Sequence, residues 1–191
     1  MRRTLLTFCA LIGLAMTTPA FSGDWAQWLG PNRNGIADEP WKGRWSVAGP
    51  KALWKADVGL GYSSVTVANG RAYTMGYAGN GETVYCFNAA SGKPVWSHSY
   101  PAKKMAKAHK GGPNASVIVH DGRVFSVSKD GQMFCFAEGD QKKILWNKKV
   151  RDLVGVKHEM WGYACSPLPL GDRLILHAGA TVAIDPKTGK V

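Results

Sequence analysis

Short runs of alternating hydrophobic and polar positions flank turn pairs in this chain from Tyr62 on, and the pattern repeats. Tyr62-Ser63-Ser64-Val65-Thr66-Val67-Ala68 runs into the turn pair Asn69-Gly70, and a second apolar run starts at Arg71. A third run leads to Ser91-Gly92-Lys93-Pro94-Val95-Trp96. Asn114 to Arg123 begins the same series, which closes at Leu145-Trp146; Tyr163 to Arg173 begins it again and reaches Thr188-Gly189-Lys190-Val191. Period-two runs bounded by turn pairs that tolerate positive φ predict antiparallel strands joined by tight hairpins. The predicted strands are 63–68, 71–77, 82–88 and 93–100 in the first unit, and 116–120, 123–127, 132–137 and 142–149 in the second. Units of about four short strands at a fixed spacing predict the blades of a β-propeller. No stretch carries helical spacing.

The third unit is less regular. Pro167, Pro169 and Gly171-Asp172 replace the cleaner turn pair, and only three strands are predicted there. Residues 52–58, with Trp54, read as a Trp strand that no unit precedes. The expected fold is all-β: a partial β-propeller of four-stranded antiparallel blades spanning 52–191, with blades at 62–100 and 114–149 and an incomplete third at 163–191. These pieces do not close a ring of the usual four to eight blades. The expectation is therefore a truncated chain, or one that completes the ring by self-association. Residues 23–51 form a lead rich in Trp, Gly and Pro. Because Trp25, Trp28, Trp41 and Trp45 are costly to leave in water, this lead is expected to lie extended against the blades.

Residues 1–22 stand apart. Arg2 and Arg3, an apolar run from Leu5 to Met16 and the small-x-small site Ala20-Phe21-Ser22 predict a secretory signal peptide, too short to persist as a membrane span. Cys9 sits inside the apolar run and not at the cleavage point, which argues against a lipid anchor. Cleavage would leave 169 residues and lower the net charge from +11 to +9. That surplus suits solubility and contact with an anionic surface. The expected location is exported, periplasmic or secreted, with no transmembrane segment in the mature chain. Cys86 and Cys135 occupy equivalent places in Tyr85-Cys86-Phe87 and Phe134-Cys135-Phe136. Neighbouring blades hold such positions farther apart than the roughly 7 Å a disulfide spans, so buried free thiols are expected.

Phe87-Asn88-Ala89-Ala90-Ser91-Gly92-Lys93-Pro94-Val95-Trp96 and Ala183-Ile184-Asp185-Pro186-Lys187-Thr188-Gly189-Lys190 resemble the pyrroloquinoline-quinone-type (PQQ-like) propeller repeat. The middle copy, from Phe136 to Trp146, is looser and one residue longer. The resemblance covers essentially the whole mature chain; the lead from Asp24 to Gly35 is similar to the start of exported bacterial members. It implies that Gly92 and Gly189 supply left-handed turns and that Trp54, Trp96 and Trp146 dock between neighbouring blades. The repeat is shared by quinone-dependent alcohol dehydrogenases and by non-catalytic scaffolds, one of them a propeller lipoprotein that assists outer-membrane β-barrel assembly, so it implies a fold more than an activity.

The dehydrogenase reading implies PQQ with calcium, a Trp and an adjacent cysteine pair around the quinone, Glu, Asn and Asp oxygens on the metal, and an Asp base. This sequence has no adjacent cysteines. The loops entering each unit's first strand, 59–64, 111–116 and 158–166, gather at a propeller axis. They give the central-channel candidates Tyr62, Asn114, His158, Glu159, Trp161 and Tyr163. The plainer reading is that these aromatic residues only pack the blade tops. Calcium takes six to eight oxygens, which this set does not supply. In His158-Glu159 the second His of a zinc motif falls on Gly162, so no metal site is expected.

Lys103, Lys104, Lys107 and Lys110 crowd the crossover between the first two units. Such a run is first of all a solvated loop; the sharper reading is contact with an anionic partner such as lipid head groups, polysaccharide or nucleic acid. Aromatic residues are not interleaved with the lysines, which argues against single-stranded nucleic acid. Taken together, the residues favour an exported, non-catalytic scaffold or binding module with a protein or cell-envelope partner, no specific nucleic acid and no cofactor. The alternative is a fragment of a PQQ-dependent alcohol dehydrogenase-like enzyme.

Overall fold

The structure is a computed structural model describing residues 23–37, 43–106, 109–156 and 161–191. The predicted signal peptide, Trp41, Lys107, His158 and Glu159 lie outside the described residues. Three antiparallel meanders follow one another. The first sheet is β1 (Thr66–Ala68), β2 (Arg71–Ala78), β3 (Gly81–Asn88) and β4 (Pro94–Pro101), hydrogen-bonded in that order. The second is β5 (Ile118–His120), β6 (Arg123–Val127), β7 (Gln132–Ala137) and β8 (Ile144–Lys149). The third is β9 (Leu168–Leu170), β10 (Arg173–His177) and β11 (Thr181–Ile184). Asn69-Gly70 and Asp121-Gly122 hold positive φ at both positions, the backbone a two-residue hairpin demands.

The apolar runs have a simple origin in β7. Met133 and Cys135 point into a cluster with Trp146, Leu174, Leu176 and Ile184 of blades two and three. Phe134 and Phe136 point the other way, into Tyr73, Val84, Cys86 and Trp96 of blade one. A middle blade buries both faces, so its strand reads as continuous hydrophobe, whereas a half-exposed strand would alternate.

A single contact is repeated between units. Trp54 Nε1 donates to Ala89 O (2.8 Å), Trp96 Nε1 to Gly139 O (3.1 Å) and Trp146 Nε1 to Pro186 O (3.0 Å). Each indole thus reaches the β-turn ahead of the Trp strand in the next unit. In the first and third turns the chain makes room with glycine: a Cβ added to Gly92 would lie 2.5 Å from the Trp54 ring, and one added to Gly189 would lie 2.9 Å from Trp146. These two turns are also closed by a side chain, Asn88 Oδ1 accepting from Ser91 N–H and Asp185 Oδ1 from Lys187 N–H. The middle turn starts with Ala137, which has no such acceptor, and is one residue longer: Ala137 N–H bonds Lys143 O where Asn88 N–H bonds Lys93 O. That is why its sequence copy is loose.

Three features depart from the sequence reading. Residues 52–58 form no strand, and only Leu60, beyond them, bridges to Tyr77. A five-residue helix, α1 (Val150–Val154), follows β8 and buries Val150 and Val154; one turn is too short for helical periodicity to register. In the lead, Trp28 and Trp45 remain 55% and 62% exposed, so the packing expected of its tryptophans is met only in part.

The Trp–turn contact makes a stability prediction. Gly92 (φ 69°) and Gly70 (φ 71°) share a left-handed backbone, but nothing lies within 4 Å of a Cβ at Gly70. Gly70→Ala should cost about 1–2 kcal/mol of strain, and Gly92→Ala about 2–4 kcal/mol once overpacking on Trp54 is added. Denaturant unfolding of the two variants measures the difference; equal losses would show that Trp54 does not press on this turn.

Candidate functional site

The innermost strand of each blade, β1, β5 and β9, has one edge unpaired within its own sheet. The lead crosses all three of these edges. Trp25 exchanges backbone hydrogen bonds with Val67 of β1 (2.7 and 3.1 Å), Ala26 O accepts from Val119 N–H of β5 (2.9 Å), and the Arg33 guanidinium donates to Pro169 O of β9. The lead is therefore a strap along the channel side of the blades. It supplies partners to backbone groups that would otherwise be exposed strand edge.

Equivalent serines link the same strands from within. Ser64 Oγ and Ser116 Oγ are 2.6 Å apart, and Ser116 N–H donates to Ser166 Oγ (2.8 Å). Beside them Thr66 Oγ1 donates to Val117 O (2.6 Å). Between this ladder and the strap lies a cavity of about 450 Å³ walled by Trp28, Leu29, Arg33, Asn114 and Cys165. Two of its acceptors, Gln27 Oε1 and Asn114 Oδ1, are buried and without a hydrogen-bond partner among the described residues. Gln27 Nε2 donates to Pro31 O (3.3 Å), which fixes that amide with its oxygen as the open acceptor. A cavity of this size with an apolar wall and a few open polar atoms has the character of a ligand site.

Among the described residues, the channel candidates do not converge on one point. Asn114 joins the strap cavity. Tyr62, half exposed, sets its ring edge-on to His109 with centroids 5.0 Å apart. Tyr163 is buried, its N–H bonded to Lys129 O and its ring over Gly131. It floors a separate groove with Lys103, Asp130, Lys149 and Arg151. Trp161 is half exposed. Lys104 and Lys110 lie exposed along the crossover, while Lys103 joins β8 and α1 in gathering positive charge around Tyr163.

Sequence reasoning missed a buried polar cluster behind His109. Glu82 is fully buried; Tyr100 Oη donates to its Oε2 (3.0 Å) and Lys129 N–H to its Oε1 (3.3 Å). Burial raises the Glu82 carboxyl above its usual range, and the hydrogen bonds from Ser128, Tyr100 and Lys129 oppose this. A signal was present: Glu82 stands in phase with Val84 and Cys86 on the face of β3 that packs inward. Lys129-Asp130-Gly131 carries none, since it reads as an ordinary turn. Gln27 and Arg33 were hidden for a similar reason, in a lead without periodicity.

The family model described as outer membrane protein assembly factor BamB matches residues 45–191. The chain belongs to this BamB family of PQQ-like repeats. Among solved structures it is similar to the quinohemoprotein alcohol dehydrogenase ADHIIG of Pseudomonas putida, with 20% identity, TM-score 0.53, and coverage of 72% of this chain and 21% of that one. A europium-containing methanol dehydrogenase gives 17% identity, TM-score 0.57, and coverage of 73% and 26%. The quinohemoprotein alcohol dehydrogenase of Comamonas testosteroni gives 15%, 0.51, and 68% and 20%. The BamB-family chain thus spans about a quarter or less of these enzymes, and likeness at such identity speaks for the propeller fold alone. Among curated proteins none matches it. No helix of the described residues is long and apolar enough to cross a membrane.

Among the described residues, the parts that PQQ with calcium would call for, an adjacent cysteine pair and a set of carboxylate oxygens, are not gathered at the strap cavity. Cys86, Cys135 and Cys165 are free and belong to separate units. The cavity at Asn114 is walled by amides, hydroxyls, a thiol and a guanidinium without a carboxylate. Among the described residues no three His, Cys, Asp or Glu side chains gather.

Burial pushes the Cys86 thiol up to about 11 and Cys135 up to about 12, and raises Cys165 as well. Thiolate is the reactive form, and only Cys165 retains exposure. In the folded chain at pH 8, of these three thiols only Cys165 should react with an aromatic disulfide reagent, and all three after denaturation. Mass spectrometry of the labelled peptides reads this directly; early labelling of Cys135 would mean that blades two and three separate.

Proposed function

We propose that this BamB-family chain is a non-catalytic scaffold of the bacterial cell envelope, exported by its N-terminal segment, that binds a protein partner between strap and blades. The observation that carries the reading is the strap cavity. Trp28 and Leu29 offer apolar surface, Gln27 Oε1 and Asn114 Oδ1 await donors, and Arg33 keeps guanidinium N–H groups beyond the one bonded to Pro169 O. An extended peptide brings the matching set: amide N–H donors, carbonyl acceptors and an apolar side chain. The family's description, concerned with assembly of outer membrane proteins, suits such a partner. The positive groove of Lys103, Lys149 and Arg151 adds long-range attraction for acidic segments, with most effect on association rate.

The test titrates extended peptides of alternating apolar and polar residues, and separately PQQ with calcium, into the chain while following tryptophan fluorescence. The expected result is peptide affinity of about −8 kcal/mol, or micromolar, weakened roughly tenfold in Trp28→Ala. Tight PQQ binding with no response to peptide would overturn the reading in favour of a dehydrogenase fragment.

A further inference from the structure

His109 presents a problem of proton accounting. Its Nδ1 lies 3.0 Å from Gly111 N, a backbone N–H that can only donate. Its Nε2 lies 2.8 Å from Lys129 Nζ. A neutral imidazole has one N–H and one acceptor nitrogen. With Nδ1 accepting from Gly111, the ring proton sits on Nε2 and points at Lys129. An ammonium there would set donor against donor; a free amine offers the lone pair the contact needs. The hydrogen bonds thus assign His109 as the Nε2–H tautomer and Lys129 as an uncharged amine.

We propose that His109 and Lys129 form a proton-sensitive joint that fixes the lysine-rich crossover to blade two only while Lys129 is a free base. The surroundings agree. Lys129 is fully buried, and among the described residues no carboxylate makes an ion pair with it. The groups facing the pair are accounted for elsewhere. Glu82 of β3 accepts from Lys129 N–H, Tyr100 Oη and Ser128 and makes no ion pair with the Lys129 amine; Asp130 accepts from Lys103 N–H (3.4 Å); Tyr62 meets His109 through ring contact; Tyr163 donates its N–H to Lys129 O. Burial lowers the Lys129 ammonium from its usual range, with Glu82 in partial opposition.

A proton added to Lys129 breaks the arrangement. It removes the lone pair that Nε2–H uses. If the ring proton then moves to Nδ1, it confronts Gly111 N–H. Since the unfolded chain holds this lysine protonated at pH values where the folded chain does not, stability rises with pH from the lowered Lys129 midpoint up to the ordinary lysine range, and falls in the other direction. The joint therefore loosens as pH falls through the folded midpoint, freeing a segment that carries Lys103, Lys104 and Lys110.

The experiment is heteronuclear NMR on the isotopically labelled chain from pH 5 to 11, reading the lysine side-chain and histidine ring nitrogens together with Gly111 amide exchange, in wild type and Lys129→Met. Methionine keeps the buried stem and removes the amine. The expected result is one lysine, absent from Lys129→Met, titrating at least tenfold more acidic than the rest, His109 as the Nε2–H tautomer, and Gly111 protection lost below that midpoint in wild type alone. Lys129 titrating with the surface lysines, or His109 protonated on Nδ1 at neutral pH, would overturn the proposal. Both readings come from wild type, so they stand even where Lys129→Met fails to fold.

Discussion

The contact on which this architecture depends is the indole that leaves its own unit and hydrogen-bonds the turn of the next one. A blade of short strands cannot bury both its faces alone, and it becomes stable only against a neighbour. Trp54, Trp96 and Trp146 supply that neighbour contact three times with the same donor and the same kind of carbonyl acceptor. The indole contributes apolar area while its one polar atom is satisfied, which removes the usual penalty of burying it. Because the bond always points forward along the chain, the units stack in one direction. A glycine in the receiving turn lets the ring approach in two of the three cases, and a longer turn does so in the third.

Stacking by this rule puts β1, β5 and β9 side by side with open edges on the channel side. Exposed edges recruit other strands, so they need cover. The strap provides it with little regular structure, using backbone at Trp25 and Ala26 and a side chain at Arg33. Its irregularity has a consequence. A regular strand would seal the inner edges, whereas a segment that touches each blade once leaves space between its contacts. The strap cavity with its open acceptors lies in that space, so cover for the scaffold and a surface for a partner come from the same residues.

The fold was legible because it is written in local pairs. Asn69-Gly70 and Asp121-Gly122 give the hairpins, and Ser91-Gly92-Lys93 and Thr188-Gly189-Lys190 give the turns that receive the indoles. Strand ends are less sharply written than the turns, as in β1, which begins at Thr66 and not Ser63. The site was much less legible. Tyr62, Asn114 and Tyr163 lie outside the strands and face three different environments, because the direction of a side chain out of a loop depends on contacts with other units. Gln27 and Arg33 act through a segment with no periodicity at all, and nothing in Lys129-Asp130-Gly131 announces a buried lysine.

That lysine also shows where a repeat protein can store sensitivity to its surroundings. The two apolar clusters between blades are made chiefly of Phe, Val, Cys, Leu and Trp, and thiols raised to about 11 and about 12 at Cys86 and Cys135 stay protonated in any ordinary medium. The crossover between units is different. It runs from β4 to β5, and in doing so it lays His109 against the seam between blades one and two, where Glu82 and Tyr100 of blade one and Lys129 of blade two are already enclosed. Each polar atom there depends on a partner from another element, so one proton affects several bonds at once. Charge buried at such a seam is a poor source of stability compared with apolar packing. It does give the chain a response to pH at a place where a change can reach the loop without disturbing the blades.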